Sequence, residues 1–196
     1  MNNYPEHLAS LMTDDTVFIT PTGSRLYNLA NEHSDFDYLQ VLDDGRKSNA
    51  HSVVGELDVR VFSPQSFFDL AARKPSYITA EVIFSPLKSY GPAADRWMPM
   101  FAAFHQASLA TAANFKRIAI DALQTGDKEF KRLRFALYLD WAARELRAKG
   151  FYNPQLTNEH AAELTENTRR FQLRYSPEER ADAIAALFSS PHGLER

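Results

Sequence analysis

The chain of 196 residues has no cysteine. Disulfides and thiolate metal sites are therefore excluded, and zinc would need histidine and carboxylate ligands alone. The six histidines (His7, His33, His51, His105, His160 and His192) stand far apart, with no HxxxH or HExxH spacing, so zinc is not expected. Positive charge is not in excess either: 22 Lys and Arg against 25 Asp and Glu give a formal net charge of −3. That excludes a surface built to coat polyanions, and any nucleic-acid contact would need a local basic cluster. No uninterrupted apolar run approaches the roughly 18 residues of a membrane span. The opening residues, Met1 to His7, have no basic stretch leading into an apolar core, so a secretory leader is not expected. The expected location is the cytoplasm, of the cell itself or of a host, with no membrane partner. Internal repeats and low-complexity segments are absent.

What is present reads as an ordinary globular chain. Hydrophobic residues make up 44% and charged residues 24%, enough to bury a core in one large domain or two small ones. The composition changes near residue 90. Before it, short β-like runs alternate with turns. Val17-Phe18-Ile19 is a compact apolar run stopped by Thr20 to Gly23, and Phe36 to Leu42 is a second strand closed by Asp43-Asp44-Gly45. Residues 56 to 62 alternate, with Leu57, Val59 and Val61 on one face and Glu56, Asp58 and Arg60 on the other. Ser63-Pro64 opens a helix, with Phe67, Phe68, Leu70 and Ala71 on its apolar side. Val82-Ile83-Phe84 is expected as a fourth strand, stopped by Pro86. After Gly91-Pro92 the pattern is helical to Gly150, with a break at Thr125 to Asp127. Two further helices are expected, one capped by Thr157 or Asn158 and one opened by Ser176-Pro177-Glu178-Glu179 as a capping box. The expected organisation is an α+β fold: a small mixed β-sheet with flanking helices over residues 1–90, then a helical domain over 91–196.

The residues that carry chemistry cluster before residue 60. Gly23-Ser24 follows a buried strand. Glycine there lets the backbone approach a phosphate closely, and the following amides and the Ser24 hydroxyl can donate to its oxygens. Asp35 and Asp37 are two apart at the start of a strand, so both carboxylates fall on one face. Carboxylates that close repel unless a cation lies between them. Asp58, on the polar face of a later strand, can complete the site, and Glu56 on the same face is the alternative third ligand. Such a hard-oxygen site suits Mg²⁺, with Mn²⁺ as a substitute. Two such ions lower the barrier for in-line attack on an α-phosphate. Arg25, beside the Gly-Ser turn, is a candidate triphosphate contact. Tyr27 and Tyr38 are candidate stacking platforms for a base. Glu81, inside an apolar run, needs a partner if buried: a basic side chain, or an active-site group that it orients.

These residues in this order, Gly23-Ser24, then Ser34-Asp35-Phe36-Asp37, then Asp58, resemble the nucleotidyltransferase (DNA polymerase β) superfamily. Within it the chain is most similar to the predicted nucleotidyltransferases of the RNA-repair-pathway group. Pro75 to Pro86 resembles that group's P-x-x-x-E-x-(apolar)-F-x-P segment, and Lys128, Lys131 and Arg134 stand at the positions of its Lys-x-x-His-x-x-Arg helix. The resemblance covers roughly residues 15 to 150, and Asp58 fits its spacing better than Glu56. Two positions depart from the pattern. Asn28 replaces a glycine after Tyr27, and Asn tolerates positive φ. Lys131 replaces a histidine, which removes a proton-transfer role there but not a phosphate-binding one.

The resemblance implies a polymerase-β-like fold. Asp35, Asp37 and Asp58 would be catalytic and metal-binding. Gly23, Ser24, Arg25, Lys128, Lys131 and Arg134 would bind nucleotide. The implied reaction moves a nucleoside monophosphate from an NTP to an acceptor hydroxyl, releasing pyrophosphate. The acceptor would be RNA, tRNA, another nucleotide or a protein, the last as in toxin-like modifiers. A rival reading is an idle nucleotide-sensing or partner-binding protein on the same fold. Lys128, Lys131 and Arg134 also read simply as a solvated basic helix face.

Overall fold

The computed structural model describes residues 5–45, 49–72, 76–106, 110–123 and 128–189. The chain is α+β: a four-stranded mixed sheet accompanied by eight helices among the described residues. It divides into two compact units, Met1–Ala107 with Asn153–Gln155, and Ser108–Tyr152 with Leu156–Arg196.

In the first unit the strands β1 (Thr16–Pro21), β2 (Phe36–Leu42), β3 (Ala50–Val54) and β4 (Leu57–Phe62) lie in the order β1-β2-β4-β3. β2 runs antiparallel to β1 and parallel to β4, and β3 closes the edge antiparallel to β4. Period-two alternation divides β2 and β4 between two faces. Tyr38, Leu57, Val59 and Val61 share one apolar cluster with Leu8 and Ile19, beside the 3-10 turn Glu6–Leu8. Leu39, Val41 and Phe62 belong to the other cluster, with Phe67, Ala71, Val82 and Phe101 from α2 (Pro64–Ala72), α3 (Tyr77–Phe84) and α4 (Ala94–Gln106). The Phe67 and Phe101 rings meet edge to face at 4.6 Å, a favoured aromatic geometry. That contact ties α4 to α2, within a first unit that continues past the composition change near 90.

The face that carries Leu39, Val41 and Phe62 is apolar at its far end. At its near end the same alternation brings Asp37, Asp58 and Arg60, which is why polar chemistry collects there. Ser63 and Pro64 open α2 as expected, with the Ser63 hydroxyl accepting from the Ser66 amide at 3.2 Å.

Two expectations are corrected. Val82-Ile83-Phe84 is not a strand but the last turn of α3. Ser76 caps that helix in a reciprocal capping box with Thr79, and these bonds favour a helix for a short apolar run that periodicity alone leaves open. The fourth strand is β3, exposed at every residue, so it has no buried face to imprint a pattern on the sequence.

The second unit contains α5 (Ala110–Leu123), α6 (Glu129–Lys149), α7 (Asn158–Arg174) and α8 (Arg180–Leu187). Phe115, Leu133, Leu137, Tyr138, Leu164, Phe171 and Ile184 are buried in it. The expected break at Thr125 to Asp127 falls outside the described residues. Gly150 ends α6 at φ 75, and Thr157 caps α7 by accepting from the His160 amide at 3.2 Å. The Ser176 segment is a turn whose amide donates to Glu179 at 2.9 Å, so α8 proper begins only at Arg180. No helix among the described residues is long and apolar enough to cross a membrane.

Candidate active site

The site is built where β1 hands over to α1 (Gly23–Leu26). The Thr22 amide donates to the Asp37 carbonyl at 2.9 Å, which carries the β1–β2 pairing up to the turn. Gly23 then takes φ +68, and a Cβ built on it would lie 2.1 Å from Asp37 Oδ2 and 2.5 Å from its Cγ. The Asp37 carboxylate therefore rests directly on the glycine, and only a residue without a side chain fits beneath it. The next residue, Ser24, is 9% exposed and its hydroxyl has no hydrogen-bond partner among the described residues. A buried hydroxyl left unpaired is costly, so it is a position suited to an incoming acceptor. Asn28 closes the turn at φ 62, the left-handed conformation that asparagine tolerates.

Across the parallel strand pair Asp37 stands in register with Asp58. The structure thus brings two of the three predicted carboxylates to adjacent positions on one face. Asp35 precedes β2 and is exposed, and Glu56 is exposed in the turn before β4. No group of three or more His, Asp or Glu side chains among the described residues is gathered closely enough to hold a metal ion. Asp58 has a protein partner: His51 Nε2 lies 2.7 Å from its Oδ1, reaching across from β3.

α3 covers this end of the sheet. Tyr77 and Glu81, four apart and so on one side of the helix, line a cavity of about 40 Å³ together with Gly23, Asp37, Asp58 and Arg60. That volume has room for one or two water-sized groups, not for a whole nucleotide. Glu81 is 2% exposed and accepts a hydrogen bond from the Tyr27 hydroxyl. Burial pushes its carboxyl up to about 8, against the pull of Tyr27 and Arg60, with Asp37 adding to the rise. Glu81 is therefore held as the neutral acid near neutral pH. Arg60 Nη1 donates to the Tyr77 hydroxyl at 3.1 Å. Burial also pushes the Tyr77 hydroxyl up, against the pull of Arg60. A larger cavity in the first unit, about 830 Å³ beside Tyr90, Asp95 and Met98, includes none of the predicted site residues.

The predicted cations are distributed differently from the carboxylates. Arg25 donates from Nη2 to the Ser34 carbonyl at 2.6 Å and from Nε to the Asp35 carbonyl at 3.2 Å, and its guanidinium lies 3.8 Å over the Phe36 ring. It clasps the backbone that leads into β2. Lys128, Lys131 and Arg134 belong to the second unit. Lys128 is the cap residue of α6 at φ 63, so only Lys131 and Arg134 lie on the helix itself. Lys131 is exposed, while Arg134 is partly buried over the Phe130 ring, and burial lowers its guanidinium. Tyr27 and Tyr38 are each 6% exposed, Tyr38 bonding to His7 Nε2 at 2.7 Å. Neither ring is an open stacking surface.

Sequence reasoning missed His51 and Tyr77, and placed Arg60 on the face of Asp58 without giving it a role. The alternation of β4 already put Arg60 on the Asp58 face, whereas His51 and Tyr77 arrive through tertiary packing. No family model matches this chain, and no curated protein matches it significantly.

Proposed function

We propose that the first unit is a nucleotidyltransferase domain of the DNA polymerase β type. It would transfer a nucleoside monophosphate from an NTP to an acceptor hydroxyl and release pyrophosphate. The observation that carries this reading is the contact between Gly23 and Asp37. The turn that would receive phosphate and the carboxylate that would receive the cation are built against each other. The mixed sheet, with Asp37 and Asp58 side by side on its parallel pair, supports the corresponding fold.

Asp37 and Asp58, joined by Asp35 from the entrance to β2, would hold Mg²⁺ or Mn²⁺. The all-oxygen donors fit such a cation, although only two of the three are adjacent. When bound, it would neutralise phosphoryl charge and acidify the acceptor hydroxyl. The Ser24 hydroxyl, buried and without a partner, donates to a phosphate oxygen. Arg25 keeps Ser34 and Asp35 in place through their carbonyls. Because the cavity is so small, base and sugar remain outside it, and the protein reads mainly the phosphates there.

Lys128, Lys131 and Arg134 enter as phosphate contacts through the resemblance of their spacing. RNA or tRNA in the cytoplasm is the proposed acceptor setting. The direct test is pyrophosphate release from each labelled NTP with total RNA and Mg²⁺. Wild type is expected to turn over, and Asp35→Ala combined with Asp37→Ala is expected to be inactive with an unchanged melting temperature. Activity in the double variant, or collapse of its melting temperature, defeats the reading.

A second reading has two observations in its favour. The three carboxylates are not gathered, and His51 occupies Asp58. An idle nucleotide sensor on the same fold would bind ATP without releasing pyrophosphate.

A further inference from the structure

Among the described residues, Arg60 is the one basic residue lining the cavity that holds Asp37, Asp58 and Glu81. An arginine among three carboxyl groups is expected to form an ion pair with one of them. Arg60 forms none among the described residues. Its single hydrogen bond goes to the neutral Tyr77 hydroxyl at 3.1 Å. Asp58 is engaged instead by His51, Glu81 by Tyr27, and Asp37 rests on Gly23. Each acid is supported from elsewhere, and the remaining guanidinium donors are uncommitted.

A planar fork held from one side and open on the other matches the oxygens of a phosphate, which accept two parallel N–H bonds. Arg25 lacks this freedom, since two of its donors hold backbone carbonyls and its face lies on Phe36.

We propose that Arg60, aimed by Tyr77, is the residue that binds the phosphate of the substrate at this cavity. The proposal rests on the nucleotidyl-transfer reading and names a contact that the resemblance does not assign. Asp37, Asp58 and Arg60 would then meet the phosphate together. The carboxylates act through a cation, and the guanidinium acts directly.

The test is titration calorimetry of wild type, Arg60→Gln, Arg60→Lys and Tyr77→Phe with ATP and with inorganic pyrophosphate, each in Mg²⁺. Pyrophosphate release is measured in parallel. Loss of a charge-assisted, two-bond contact is expected to weaken both ligands about tenfold or more in Arg60→Gln. Arg60→Lys should recover part of the loss, because the charge stays and the fork goes. Tyr77→Phe keeps the charge and releases its aim, so a smaller loss, about two- to fivefold, is expected.

If wild type binds ATP and turns over while Arg60→Gln and Arg60→Lys bind as wild type does, the inference is overturned and the reading of the reaction stands. If Arg60→Gln loses ATP but keeps pyrophosphate, the contact is not to phosphate, and the inference is again overturned. If wild type neither binds ATP nor releases pyrophosphate, the reading of the reaction falls and takes this inference with it.

Discussion

Glu81 makes the stability of the protein depend on pH in a direction opposite to that of most carboxylates. Its carboxyl is raised from an ordinary 4.5 to about 8 because the surrounding helix and sheet strip it of water. Between those two values the folded state holds a proton that the unfolded chain has released. Stability therefore falls as pH rises through that window, by about 1.4 kcal/mol per unit. The whole window corresponds to roughly 3–5 kcal/mol, a large share of what holds a small domain together. Above about 8 the folded group ionises too and the loss levels off. Glu81→Gln removes the titration and keeps an oxygen to accept from Tyr27. Urea unfolding of both proteins at half-unit steps from pH 4.5 to 9 isolates the effect, because every other titrating group cancels in the difference. The two should be nearly equal at the acid end, and the variant should be more stable by several kcal/mol at pH 8. A difference curve that is flat from pH 5 to 8 would refute the assignment of a buried, neutral Glu81, even if the absolute stabilities matched expectation.

Two further outcomes follow from the turn beneath Asp37. Gly23→Ala is expected to lower stability by at least about 1–2 kcal/mol from the left-handed backbone alone, and by more from the 2.1 Å approach to Asp37 Oδ2. An unchanged thermal melt would mean that the turn and the carboxylate are not in contact in solution. Ser24→Ala is expected to leave the melt unchanged or slightly raised, since a buried unpaired hydroxyl is removed. It should weaken NTP binding by about 1–3 kcal/mol, measured by calorimetry. Equal affinity would move the phosphate site elsewhere.

The parts of the fold that were legible are those in which burial writes a period into the sequence. β2 is read with its observed bounds because its run is closed by Asp43-Asp44-Gly45, and β4 nearly so because it alternates between an apolar cluster and a mixed face. β3 left no such trace. It is an edge strand exposed at every position, and it exists because β4 offers a partner, not because its own residues demand it. α3 was misread because an apolar run of that length fits either state. The signal that decides it, Ser76 reaching Thr79, lies ahead of the run.

The site divides in the same way. Gly23, Asp37 and Asp58 could be found because a glycine at a turn and carboxylates at even spacing leave local signs. The supports of those acids could not be found, because His51, Tyr27 and Glu81 meet their partners across 7 to 54 residues of chain. Sequence reasoning gave Glu81 a basic partner or an orienting role. The structure gives it a phenol as direct partner and places arginine at one remove. The two arginines show why adjacency misleads. Arg25 stands next to the Gly-Ser turn in sequence, yet it is spent on the carbonyls of Ser34 and Asp35. Arg60 is far from that turn in sequence; the alternation of β4 sets it one pleat from Asp58, and the parallel pairing of β2 with β4 brings both beside Asp37, on the face that the turn covers. Which cation approaches Asp37 is thus decided by strand register, a property of the folded sheet that no window along the chain contains.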